Sequence, residues 1–184
     1  MKKNPDDNPG VGGNENTITR DEWLSAFDER NFDNCTIVSE VEGMTVCMMM
    51  DVYSGRIYMT MPDENGGISE MIAVRESEAV YRMYSRESNG DWVDGGTVEQ
   101  NMYEDICGDI IRVLMSFADE YDSFKYDSKL DAYVHITNNT IVTFKDGKLY
   151  TLTVTEGEEE QMLLFTNYDN TVIEIPNVKD PEVK

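Results

Sequence analysis

The side chains that could perform acid–base chemistry are a single histidine and many carboxylates. His135 lies between Val134 and Ile136 in a predicted strand. A serine or cysteine nucleophile would need this histidine as its base, yet the chain has no nucleophile-elbow sequence. Two carboxylates at a suitable separation could hydrolyse a glycoside, but 37 acidic residues make such a pair almost certain by chance. We therefore predict that the protein is not an enzyme.

Metal and cofactor sites would need residue spacings that the sequence lacks. One histidine excludes a zinc site built on several, and no HExxH or paired-cysteine spacing offers a mixed zinc site. Residues 63–67, 91–94 and 156–160 are acidic, but none has the alternating acceptors and closing Glu of an EF-hand loop. Solvated turns explain them better. The sequence predicts no metal ion and no cofactor.

The three cysteines, Cys35, Cys47 and Cys107, are an odd number at long spacings, which excludes a disulfide framework. We interpret them as small core residues. Cys35 and Cys47 fall in neighbouring predicted strands, and a bridge between them in an exported protein would depend on the strand register. Their pairing is left open.

Methionine is the one unusual feature of the composition that has a functional interpretation. Twelve methionines occur, and strand alternation brings five of them to one apolar face: Met44, Met48, Met50, Met59 and Met61. Methionine is unbranched and polarizable, which suits an apolar cavity of irregular shape. Filling of the core is the simpler interpretation of this face, and lining of a ligand cavity is the alternative.

A short helix is predicted from about residue 18 to residue 27. Thr19 and Glu22 have the spacing of a capping box, in which each side chain satisfies an amide of the first turn. Trp23 and Phe27 lie four residues apart and share one face. This helix should dock that face on a larger element.

A longer helix is predicted from about residue 98 to residue 118, where Thr97 and Gln100 repeat the capping-box spacing. Its apolar arc is wider than a surface helix needs, so we expect it to be largely enclosed. Gly108 lies in its middle, and we expect the backbone of a sheet to approach closely there.

Strand patterns occupy the remainder of the domain. Alternation of period two runs from residue 35 to about residue 88 and again from residue 133 to residue 175, with a strong hairpin signal at Asp146-Gly147. The last strand of the second run is predicted at residues 172–175. These patterns predict about ten strands, more than one flat sheet usually carries. The predicted fold class is α+β: a strongly curved antiparallel sheet, or half-barrel, closed over by two or more helices.

Charge and composition limit the partners and the domain bounds. A formal net charge of -22 repels phosphate backbones and anionic headgroups, so anionic membrane surfaces are poor partners and no nucleic-acid partner is expected. No apolar run is long enough to span a bilayer. Residues 1–17 form a predicted polar linker, residues 18–176 a single domain, and residues 177–184 a frayed carboxyl-terminal tail.

Several short sequence motifs, and their order along the chain, resemble those of a known family. They are ITRDEWLSAF (18–27), NFDNCT (31–36), DGKL (146–149) and FTNYDNT (165–171), which is followed by Ile175-Pro176. In these segments the chain resembles cell-envelope lipoproteins of gut Gram-positive bacteria with the LolA/LppX-like lipoprotein-carrier fold. That resemblance implies a bent antiparallel half-barrel covered by helices, a cavity for acyl chains, and an extracytoplasmic location. The lipobox cysteine and signal peptide of such proteins are absent, and a native lipid anchor is expected upstream of residue 4.

Two functional hypotheses follow. The first is a non-catalytic lipoprotein domain that binds a lipid or other apolar ligand between the sheet and the long helix. The second is an acidic cell-surface interaction or structural module with a self-filled core, whose exterior meets a cationic partner or the cell wall. The residues expected near the ligand of the first hypothesis are Met48, Met50, Met59, Met61, Ile106 and Ile110.

Overall fold

The computed structural model of the chain describes residues 17–41, 43–88, 90–156 and 159–178. These residues form two α-helices, α1 (Arg20–Ala26) and α2 (Met102–Ala118), and two short 3₁₀ helices at Glu29–Phe32 and Tyr121–Ser123. They also form eleven strands: β1 (Asn34–Val41), β2 (Met44–Asp51), β3 (Arg56–Pro62), β4 (Ile68–Ser77), β5 (Val80–Arg86), β6 (Val93–Glu99), β7 (Phe124–Asp127), β8 (Ala132–His135), β9 (Ile141–Lys145), β10 (Lys148–Glu156) and β11 (Glu159–Thr166).

The described strands form one antiparallel sheet in the order β6-β5-β4-β3-β2-β1-β11-β10-β9-β8-β7. Two meanders, β1 to β6 and β7 to β11, are therefore joined side by side through the pairing of β1 with β11. This arrangement confirms the α+β class with a large antiparallel sheet. The sheet is open, because β6 and β7 each have a strand partner on one side only within the described residues.

The strand predictions differ from the structure in three places. The sequence analysis did not predict β6 or β7, and it predicted a strand at residues 172–175, which are not in a strand. β6 was missed because the Asp-Gly-Gly sequence at residues 94–96 is typical of a break. In the structure Gly96 has a φ of +79° and the β5–β6 register shifts beside it, so these glycines form an irregularity within the ladder.

Helix α1 forms where the sequence predicted it. The Thr19 hydroxyl accepts a hydrogen bond from the Glu22 amide at 3.2 Å, and the Glu22 carboxylate accepts one from the Thr19 amide at 2.6 Å. The capping box fixes the start of the helix, so that Trp23 and Ala26 face the sheet and become buried.

Helix α2 begins later than predicted. Its N-cap is Asn101, whose side chain accepts from the Glu104 amide, and not Thr97. Thr97 lies in β6, where Val98 pairs with Tyr81 and Glu99 pairs with Val80. Ladder pairing with β5 therefore extends the strand through the residues that the sequence pattern assigned to the first helical turn.

Both helices pack on one face of the sheet. Alternation of the strands assigns to this face the aromatic and aliphatic side chains of the main core, and α2 adds Cys107, Ile111 and Leu114 from one stripe. The rest of the apolar arc of α2 is less covered, and its Val113 exposes 53% of its surface. The wide apolar arc of α2 is thus only partly enclosed.

The opposite face of the sheet is covered in part by the segment that follows β11. The Asn34 side chain accepts from the Thr171 amide at 2.7 Å and donates to the Thr171 carbonyl at 3.1 Å. Two residues further on, the Ile173 carbonyl accepts from the Arg56 guanidinium, and the Ile173 side chain is buried. The predicted strand at residues 172–175 is therefore a covering segment whose alternating burial imitates a strand pattern.

Two further sequence predictions concern the membrane and the chain ends. In the part of the chain that the structure describes, no helix is both long and apolar enough to cross a membrane. Apart from Thr17, Asn177 and Val178, the predicted linker at residues 1–17 and tail at residues 177–184 lie outside the described residues.

Gly108 does not meet the sheet, which corrects the expectation of a close backbone approach. The nearest groups that a Cβ built on Gly108 would meet are the Glu104 carboxylate at 3.1 Å and the Arg112 guanidinium at 3.4 Å, both side chains of α2 itself. These are the far ends of long side chains, which can shift by a few tenths of an ångström at little cost.

Gly108→Ala should accordingly stabilise the protein. Alanine loses less backbone entropy than glycine on forming a helix, so we expect the free energy of unfolding to rise by about 0.5 to 1 kcal/mol in urea denaturation. Gly96→Ala is the matched control. A Cβ at Gly96 would meet no atom within 4 Å, but the φ of +79° disfavours any L side chain, so this variant should destabilise the protein. A Gly108→Ala variant that is less stable than the wild type would contradict the prediction.

Candidate functional site

An apolar cleft opens between α2 and the middle of the sheet. It has a volume of about 190 Å³ and lies where Ile110 of α2 faces strands β11, β1, β2 and β3. Its lining residues are Ile37, Ser39, Val46, Cys47, Met48, Met59, Thr60, Ile110, Gln161 and Leu163. No charged side chain is among them.

Strand register explains why methionines line this cleft. Ile37 pairs with Met48 and Met48 pairs with Met59, so the three side chains stand in one row on the helix-bearing face. Met59 pairs in turn with Met71, which is half-buried on the same face. This row of side chains continues away from α2, so methionines lie on the part of the sheet that the helix leaves uncovered.

Two of the polar side chains around the cleft, Ser39 and Thr60, already have hydrogen-bond partners. The Ser39 hydroxyl donates to the Met162 carbonyl at 2.9 Å, and the Cys47 amide donates to the Thr60 hydroxyl at 2.6 Å. A ligand in the cleft would therefore find apolar contacts and few unmet hydrogen-bonding groups, which favours hydrocarbon over polar ligands.

The six residues that the sequence analysis expected near a ligand do not all lie at the cleft. Met48, Met59 and Ile110 line the cleft, and Ile106 is half-buried one turn before Ile110 on the same stripe of α2. Met61 exposes 44% of its surface beyond the cleft, near the end of β3. Met50 has no exposed surface and belongs to the main core, where a ligand could not reach it without repacking.

His135 is held as part of a turn. Its Nε2 lies 3.3 Å from a Glu120 carboxylate oxygen, and its Nδ1 accepts from the Thr137 amide at 3.2 Å. The Thr137 hydroxyl is also near, at 3.1 Å from Nδ1. Because the Thr137 amide already occupies the Nδ1 lone pair, Nδ1 is poorly placed to take a proton from the Thr137 hydroxyl. The ring also packs edge-on against Phe124 at 4.9 Å.

The acidic turns that were considered for metal binding use their carboxylates on their own backbones. Asp63 accepts from the amides of Asn65 and Gly67, and Asp94 accepts from the Gly96 amide and from Arg82. Residues 157 and 158 of the acidic run at residues 156–160 lie outside the described residues. Within the described part of the chain, no three His, Cys, Asp or Glu residues are grouped as metal ligands would be.

The register of strands β1 and β2 decides whether Cys35 and Cys47 can form a disulfide. Cys35 pairs with Met50, whereas Cys47 pairs with Val38, so the two cysteines are three positions apart along the ladder and on opposite faces. This separation of about 10 Å along the strands excludes a bridge between them. All three cysteines are free thiols.

Comparison with known proteins gave no match, whether to a family model, to a curated protein or to a solved structure.

The three thiols should differ sharply in reactivity. Burial raises the pKa of both Cys35 and Cys107 to about 12, while Cys47 is only half-buried and burial raises its pKa by less. At pH 8, four units below a pKa of 12, about one Cys35 thiol in ten thousand is ionised, and the thiolate is the reactive form. We expect a disulfide reagent to titrate one thiol in the native protein, and three after denaturation.

The Cys47→Ser variant identifies that thiol, because its native form should then titrate none. Rapid titration of two or three thiols in the folded wild type would show that the core around Cys35 and Cys107 opens readily, contrary to their complete burial.

Proposed function

We propose that the protein is a non-catalytic, extracytoplasmic lipoprotein domain that binds a lipid chain or another apolar ligand in the cleft between α2 and strands β1 to β3. The observation that carries this proposal is the cleft itself, which is uncharged, opens on the helix-bearing face, and is lined by Met48, Met59 and Ile110.

The size of the cleft indicates what it would hold. Apolar cavities of about 150 Å³ accept a molecule as large as benzene, and pockets for drug-sized ligands start at roughly 300 Å³. A cleft of about 190 Å³ therefore fits part of a hydrocarbon chain. Met61, which is partly exposed beyond the cleft on β3, would extend the contact for the remainder. Methionine changes rotamer cheaply, so Met48 and Met59 can adjust to chains of different shape.

The resemblance to LolA/LppX-like carriers supports the same proposal. In that family helices cover one face of a bent antiparallel sheet and the ligand lies between them. A large antiparallel sheet with α1 and α2 on one face is compatible with this layout. The half-barrel curvature, the cell-envelope location and a native lipid anchor upstream of residue 4 are the parts of the proposal that rest on the resemblance.

A second function is supported by the packing of the core. Met50 and a cluster of aromatic residues around Trp23 fill the space beneath the helices with the protein's own side chains. A surface module needs such a filled core and no ligand, and its net charge of -22 would select a cationic partner or the cell wall. Ligand uptake separates the two proposals.

The deciding measurement pairs native mass spectrometry with uptake of a neutral apolar fluorophore such as N-phenyl-1-naphthylamine. We expect a lipid-sized mass excess over the 21.0 kDa chain that organic solvent removes, and saturable uptake by the stripped protein. Met59→Gln keeps the length of the side chain but makes the cleft wall polar, and it should weaken uptake about tenfold.

Met49→Gln is the matched control. Met49 is the neighbour of Met48 in β2 and is half-buried, but it points to the opposite face of the sheet. It should therefore leave uptake unchanged. A clean polypeptide mass with no uptake, or equal losses in the two variants, would reject the cleft as the binding site and favour the surface module.

A further inference from the structure

A second cavity lies on the same face of the sheet, at the end opposite β6. It has a volume of about 230 Å³ and is lined by Ile18, Tyr126, Asp131, Tyr133, Thr143 and Phe144. Three of these residues come from three consecutive strands: Tyr126 from β7, Tyr133 from β8 and Phe144 from β9. The neighbouring strands therefore present three aromatic rings in a row.

The three rings contact one another at steep angles. The Tyr126 and Tyr133 ring centroids lie 5.4 Å apart with an interplanar angle of 57°, and those of Tyr133 and Phe144 lie 5.8 Å apart at 79°. Tyr133, the middle ring, is thus flanked on each side by a ring that stands steeply to it. We call Tyr126, Tyr133 and Phe144 the aromatic cage.

The cage is held in place from several sides. The Tyr133 hydroxyl accepts from the Ile18 amide at 2.6 Å, at the point where the chain enters α1. Trp23 packs against both Tyr133 and Phe144, with centroid distances of 5.6 and 5.3 Å. Ring positions that are fixed before a ligand arrives lower the entropic cost of binding it.

A carboxylate completes the cavity. Asp131, in the turn between β7 and β8, accepts a hydrogen bond from the Tyr126 hydroxyl at 2.5 Å, which ties the carboxylate to one wall of the cage. No basic side chain is among the lining residues. The site therefore combines the negative faces of aromatic rings with a full negative charge, both of which attract cations.

We propose that the aromatic cage binds a quaternary ammonium group of the kind found in choline. A trimethylammonium group carries its charge on apolar methyl groups and needs no hydrogen-bond acceptors. Ring faces and a single carboxylate are enough to bind it. A primary ammonium has three N–H donors that would lose water on entering. The cage therefore selects methylated amines over primary ones, and the site is independent of the apolar cleft.

The charge of the whole protein favours this ligand class. A net charge of -22 raises the local concentration of small cations and disfavours anions around the molecule. The position of Asp131 also matters, because its φ of +50° is a conformation that Asp and Asn adopt more readily than most residues. Asp131→Asn can therefore remove the charge while preserving the turn.

The test is a titration of the full chain with choline, followed by calorimetry and by NMR of the tyrosine rings. We expect saturable binding of choline and tetramethylammonium, with ring-current shifts of the ligand methyl groups. The neutral isostere 3,3-dimethylbutan-1-ol lacks the charge, and the primary amine ethanolamine lacks the methyl groups. Each should therefore bind at least about tenfold more weakly than choline. Equal affinity for choline and its neutral isostere would overturn the proposal, as would the absence of any saturable choline binding.

Three variants connect the binding to the cage. Asp131→Asn and Tyr126→Ala should each weaken choline binding about tenfold. Asp146→Asn is the matched control, since Asp146 is also a turn residue with a φ of +53° and is absent from the cavity lining. It should change affinity little. Should Tyr126→Ala fail to fold, Asp131→Asn and the ligand series decide the question. Unchanged affinity in Asp131→Asn, or an equal loss in Asp146→Asn, would refute the assignment.

The quaternary ammonium group could belong to a free metabolite or to a lipid headgroup, and vesicles separate these sources. Co-flotation with phosphatidylcholine vesicles but not with phosphatidylethanolamine vesicles, abolished by Asp131→Asn, would assign a headgroup. Binding of free choline without flotation would assign a soluble ligand. Equal flotation with both vesicle types would count against a methyl-selective cage.

Discussion

The buried indole of Trp23 is the contact on which the positions of both helices depend. Its N–H donates to the Phe117 carbonyl at the end of α2, at 3.0 Å, while the ring belongs to α1. The same ring packs against Tyr133 and Phe144 of the sheet. One side chain thus joins α1, α2 and the β8–β9 strands, and its N–H joins the Glu120 amide, at 3.1 Å, as a donor to the Phe117 carbonyl at the end of α2.

The Trp23 contact lies over one half of the sheet, and the helix-bearing face is less covered over the other half. Because α1 and the end of α2 are fixed over β7 to β10, the aromatic side chains there pack against one another in the main core. On the other side of β1 the helix-bearing face carries Met48, which is half-buried, and Met61, which is exposed. The apolar cleft lies at the boundary between these two regions.

Alternation and local capping predicted those parts of the fold that depend on neighbouring residues. Strands β1 to β5 and helix α1 are where the pattern placed them, and the shared face of Met48 and Met59 follows from period two. The failures required tertiary information. Thr97 has the same capping signal as Thr19, but β5 pairs with the residues after it. The burial of Met50 and the exposure of Met61 depend on where α2 crosses the sheet, and Tyr126 belongs to a strand that was not predicted.

Charge limits which ligands fit the two candidate sites of this molecule. The cleft offers no basic side chain to neutralise an anionic headgroup, and the cavity at the aromatic cage holds a carboxylate. Around both sites the net charge is -22, so the approach of an anion is opposed over at least a Debye length of about 8 Å at physiological salt. A fatty acid would bring its carboxylate into this field uncompensated, whereas a neutral or quaternary ammonium headgroup would not. If the cleft takes a lipid chain, the electrostatics favour a lipid whose head is neutral, zwitterionic or cationic.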